Sequence, residues 1–128
     1  MTDVARALQS FWSGFGLPAY PEAGVPEAED GEDSLTSLLP YITYQLIQPE
    51  WDQNATYQAR VWYWSESNVG IMAKVDEIKA EIGEGLLLPA GAGYICFRPG
   101  TPLVQMQPSE DWRLKIAYIN LQFNAYTQ

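Results

Sequence analysis

Leu114-Lys-Ile-Ala-Tyr-Ile-Asn-Leu-Gln-Phe-Asn-Ala-Tyr126 is the stretch on which the fold turns. Its β-branched and aromatic residues give a long strand. Leu114, Ile116 and Tyr118 fall on one face, and Ala117, Ile119, Leu121 and Phe123 on the other. A strand apolar on both sides needs a cover on both, helices on one and a partner on the other. Upstream, Tyr94–Arg98 and Leu103–Gln107 read as two shorter strands. Pro99-Gly-Thr-Pro102 between them has the composition of a turn.

Working back toward the N-terminus, Ile71, Val75, Ile78 and Ile82 recur at helical spacing. Asn68 stands where an N-cap is expected and Gly83 where a C-terminal cap is expected. Tyr57 to Trp64 alternates, with Tyr57, Ala59, Val61 and Tyr63 on one face and Gln58, Arg60, Trp62 and Trp64 on the other. Tyr41 to Ile47, bounded by Pro40 and Pro49, is a second strand suited to an antiparallel hairpin with it. Val4, Ala7, Leu8 and Phe11 form the stripe of a first helix capped by Thr2 or Asp3 and ended by Gly14 and Gly16. Leu17-Pro-Ala-Tyr-Pro then begins an extended segment. The expected order is α-ββ-α-βββ, an α+β domain over residues 1–128. Its single antiparallel sheet has about five strands, with two helices mainly on one face. Glu22 to Asp33 carries six acids and no base, so residues 22–34 are expected to be an exposed, mobile loop.

Composition narrows the chemistry. Apolar residues make up 47 % of the 128 and aromatic residues 13 %, ample for a core. No apolar run approaches the roughly 20 residues of a membrane span. Asp3 precedes Arg6 and no basic-then-apolar layout follows, so no signal peptide is expected. Sixteen acids against seven bases leave a formal charge of −9, with the bases scattered, which disfavours gripping of nucleic acid. Histidine is absent, which removes the commonest general base, the Ser-His-Asp and Cys-His arrangements and most zinc sites. The lone Cys96, between Ile95 and Phe97, reads as a small buried hydrophobe in a reducing compartment. Gly83-Glu-Gly and Gly91-Ala-Gly lack the residues of a phosphate cradle and read as turns. The acids of residues 27–33 lack calcium-loop spacing, and Glu110 with Asp111 has no assignable opposing carboxylate pair. No enzyme, cofactor or metal is expected.

Trp62, Tyr63 and Trp64 form the densest aromatic run. They suit either a stacking platform for sugars or bases, or packing in a core and against a neighbouring subunit.

Four elements, in order, resemble the tail terminator (tail completion, head–tail joining) proteins of long-tailed bacteriophages and prophages. They are Leu17-Pro-Ala-Tyr with Val25-Pro, then Leu39-Pro-Tyr-Ile-Thr-Tyr44, then Ala59-Arg-Val-Trp-Tyr-Trp64 leading into the Val75-Asp-Glu-Ile78 helix. The last is Gly93-Tyr-Ile-Cys-Phe-Arg-Pro-Gly-Thr-Pro102 with Tyr118-Ile-Asn-Leu121. The resemblance implies a structural virion protein of the tail or neck, assembled in the bacterial cytoplasm. It would form a homo-oligomeric ring, usually of six subunits. Such a ring caps the tail tube, meets the head connector or head-closure protein, and lets DNA pass without gripping it. On that expectation Trp62, Trp64, Leu121 and Phe123 are candidate subunit contacts. Glu29, Asp30, Glu32 and Asp33 are candidates for a partner-facing or lumen-facing loop. The alternatives are another neck or tail component, or a monomeric ligand-binding module using the aromatic strand.

Overall fold

A computed structural model describes residues 2–22, 40–47, 54–107 and 112–126. Helix α1 spans Thr2–Ser13 and buries Val4, Leu8 and Trp12, an i, i+4, i+8 stripe. The Gly14 N–H bonds to Phe11 O (3.1 Å) as the helix unwinds, and Gly16 then turns the chain at φ 81°. Helix α2 spans Val69–Ile82 and buries the expected Ile71, Val75, Ile78 and Ile82. Asn68 occupies the N-cap position without a side-chain cap bond, while the Gly83 N–H closes the other end on Lys79 O.

Six strands form one sheet: β1 Ala19–Pro21, β2 Tyr41–Tyr44, β3 Ala55–Trp64, β4 Leu86–Ala90, β5 Gly93–Gln107 and β6 Leu114–Tyr126. Their spatial order is β1-β2-β3-β6-β5-β4. Two strands beyond the expected set lie at its edges. The extended segment after α1 becomes β1, which pairs parallel to β2, so the sheet is mixed rather than wholly antiparallel. At the other edge, Leu86-Leu-Leu-Pro-Ala90 is β4, joined to β5 by Gly91 and Ala92. Pro89 is tolerated there because an edge strand has one unpaired side. The β2–β3 hairpin is present, with Tyr41 opposite Trp62 and Tyr44 opposite Ala59.

The expected turn at Pro99–Pro102 is instead a bulge within one continuous strand. Between Pro99, opposite Leu121, and Val104, opposite Ile119, β5 takes five steps while β6 takes two. Asn120 holds this excess in place. Its Nδ2 donates to Pro102 O (3.1 Å) and to Gln105 Oε1 (3.3 Å), and its Oδ1 accepts from Gln58 Nε2 (3.0 Å). At Gly100 the backbone passes so close that a Cβ would lie 2.7 Å from Asn120 O, which requires glycine.

The core lies between the helices and the sheet face formed by Tyr57, Ala59, Val61, Ala117, Ile119, Leu121, Phe123, Ile95 and Phe97. Trp12 stacks on Tyr57 at 6.4 Å and donates its indole N–H to Tyr57 Oη at 3.1 Å. Tyr57 in turn stacks on Phe123 at 5.2 Å. Phe123→Ala is expected to lower stability by roughly 3–5 kcal/mol, measured by urea denaturation. Burial, the largest influence, pushes the Tyr57 phenol well above its ordinary value of 10.0, opposed by the bond from Trp12. With the folded value raised, its contribution is complete below pH 10.0 and is lost as pH rises beyond it. The urea midpoint is expected to fall on crossing that pH, and Tyr57→Phe to flatten the fall.

Candidate interaction face

The sheet has two faces and the helices cover one. On the other face, strand alternation on β3 projects Gln58, Arg60, Trp62 and Trp64, as expected from the sequence. Register adds neighbours the sequence did not reveal. Trp62 lies between Tyr41 of β2 and Ile116 of β6, and Arg60 between Thr43 and Tyr118.

These side chains form an ordered ribbon. Tyr41 and Trp62 stack within 3° of parallel at 5.8 Å, and Tyr20 meets Tyr41 edge-on at 5.9 Å. The Trp62 indole N–H donates to Thr43 Oγ1 at 2.9 Å, which fixes the ring and satisfies a buried threonine. The Arg60 guanidinium lies 4.7 Å from the centre of the Tyr118 ring, and the Arg113 guanidinium 4.9 Å from the Trp64 ring. Both are cation–π geometries. Arg60 Nε is buried and has no hydrogen-bond partner among the described residues, with Glu22 Oε1 at 3.7 Å, an ion-pair rather than a hydrogen-bond distance. Burial, with a smaller contribution from Tyr20, raises the Tyr41 phenol above its ordinary value, so it stays a neutral ring at neutral pH.

Trp64 is 36 % exposed and Trp62 half-buried, so both remain available to a partner. Leu121 and Phe123 do not. They are 1 % and 0 % exposed and pack in the core against Tyr57 and Phe97, so their assignment to a subunit contact is corrected to an internal role. The error is one of face. Both sides of β6 are apolar, and the helices cover the Ala117–Phe123 side. Cys96 is also reassigned: it points away from the core, half-buried, opposite Leu87 and Asn124. Glu29, Asp30, Glu32 and Asp33 lie outside the described residues, as do Glu110 and Asp111.

Among the described residues no group of histidine, cysteine or carboxylate side chains is placed to hold a metal ion. No described helix is long and apolar enough to cross a membrane. The helical side carries an open groove of about 560 Å³ between α1 and α2, lined by Ser10, Phe11, Gly14, Phe15, Ala80, Glu77 and Glu81. The arrangement is suited to contact and docking through stacked rings and fixed cations.

The sequence matches no family model and no curated protein. Trp62→Ala combined with Trp64→Ala is expected to leave a chain that unfolds cooperatively but associates less. Light scattering paired with thermal unfolding checks this. Loss of the folded state in the double variant would make the two rings core residues.

Proposed function

We propose that this chain is a structural component of a phage or prophage tail, a terminator whose subunits associate into a ring. The ring caps the tail tube and joins it to the head connector. The observation that carries this reading is the sheet face left uncovered by the helices. It presents Tyr20, Trp62, Trp64 and Tyr118, with Tyr41 buried and stacked on Trp62, together with two arginines held over rings. Aromatic residues and arginine are the types enriched where protein surfaces meet, because they bring large contact area and directional polar groups at modest entropic cost. The ordered resemblance of four sequence elements to tail terminators supports the same reading.

The mechanism is association without covalent chemistry. A ring requires a heterologous contact whose rotation closes, so that one surface of each subunit meets a different surface of the next. A net charge of −9 favours a ring wall past which DNA slides. Six subunits, the tube protein and the connector as partners, and residence in the virion all follow from the resemblance.

The test is mass by light scattering across concentration and salt, with and without the cognate tail-tube protein. A defined ring, alone or only on the tube, together with tubes of capped length is the expected result. Unlimited polymerisation of the chain by itself would indicate a tube protein instead. A strict monomer that leaves tube growth unchanged would favour a ligand-binding module built on the Tyr41–Trp62 stack.

A further inference from the structure

Both helices end at the groove on the helical side. Ser10, Phe11 and Gly14 belong to the close of α1, and Glu77, Ala80 and Glu81 to the last two turns of α2. The final carbonyls of a helix lack intrahelical donors and carry the negative end of its dipole, which favours a cation there. The last turn of α1 supplies no basic side chain of its own. Carboxylates reinforce that sign, since Glu77 and Glu81, one turn apart and both exposed, rim the wall contributed by α2. Phe11 and Phe15, edge-to-face at 5.3 Å and half-buried, add ring surface that suits a cation carried on an apolar stem.

One ammonium is already held by two residues of this groove. Lys74 Nζ donates to Phe15 O at 2.5 Å and lies 3.0 Å from Glu77 Oε2. That lysine offsets one carboxylate and leaves the other, because Glu81 has no ion-pair partner among the described residues. Arg6 lines a separate groove, with Pro21, Tyr44 and Leu46. At about 560 Å³ the groove between the helices falls within the roughly 300–1,000 Å³ of ligand sites. We infer that it takes a lysine or arginine side chain from a basic segment of a different protein. The apolar stem lies along Phe11 and Phe15, and the cation meets Glu81 and the last carbonyls of α1. Charge complementarity selects the partner. A second copy of this chain, with 16 acids against seven scattered bases, would approach with like net charge. The site stands or falls separately from ring formation.

The test titrates the full chain with Nα-acetyl-lysine N-methylamide, and with its norleucine analogue as an uncharged probe of similar stem, followed by NMR. The expected result is a saturable shift of the Phe11, Phe15 and Ala80 signals with the lysine probe and none with norleucine. Ala80→Leu, which narrows the groove and leaves every charge in place, is expected to abolish the response. Glu81→Gln is expected to weaken it about two- to fivefold, the scale of one exposed ion pair. Both positions are exposed, and thermal unfolding establishes that the variants fold. Equal responses to the two probes would make the groove a plain apolar slot and overturn the inference. So would a response that survives Ala80→Leu or is undiminished in Glu81→Gln, since the cation would then sit elsewhere on the acidic surface. Absence of saturation up to about 100 mM, roughly one tenfold step of binding energy, also overturns it. Putrescine, a diamine without peptide groups, is the last arm. Tighter binding of putrescine than of the lysine probe would assign the groove to free amines and overturn the protein partner.

Discussion

Trp12, Tyr57, Phe97 and Phe123 form the cluster on which the rest of the structure depends. Trp12 comes from α1, Tyr57 from β3, Phe97 from β5 and Phe123 from β6, so four elements distant in sequence meet in one set of rings 5.1–6.4 Å apart. Each ring withdraws a large apolar area from water, the dominant favourable term in folding. The polar atoms that burial would otherwise penalise answer one another, as the Trp12 indole donates to the Tyr57 hydroxyl. Fixing α1 here, with the isoleucine stripe of α2 beside it, decides which side of the sheet becomes the interior.

That decision has a consequence for the other face. Once the helices take the Ala117–Phe123 side of β6, the side carrying Ile116 and Tyr118 can be covered only by loops or by another molecule. The chain equips it with stacked rings and arginines instead of the simple polar alternation of a solvated sheet. The Asn120-pinned excess in β5 lies beside this face and interrupts the ladder without breaking the strand. A bulge of this kind bends a strand and increases local twist.

Much of the fold was legible locally. The α2 stripe lies where its spacing placed it, because a helix packed on one side must bury residues three and four apart. The alternation of β3 likewise separated Tyr57, Ala59 and Val61 from Arg60, Trp62 and Trp64. What escaped was set by neighbours. Trp12 extends the α1 stripe, yet its central place in the core depends on Tyr57 and Phe97 arriving from elsewhere. The Leu86–Ala90 strand carries a proline and a continuous apolar run, a pattern without a period that becomes a strand only through pairing with β5. Pro99-Gly-Thr-Pro102 has the composition of a reversal, but β6 runs past it on a continuous ladder and keeps both halves of β5 in line.

The sequence by itself determined the class of fold, the helix stripes, the alternation of the central strand and the want of histidine chemistry. Each of these is carried by residues a few positions apart, where helix and strand periodicity act directly. Only the tertiary structure decided which apolar face of β6 is interior, and so withdrew Leu121 and Phe123 from any partner while leaving Trp62 and Trp64 within reach. Two apolar faces of one strand are equivalent to the sequence. The helices that cover one of them, through the Trp12 cluster and the α2 isoleucines, make them different.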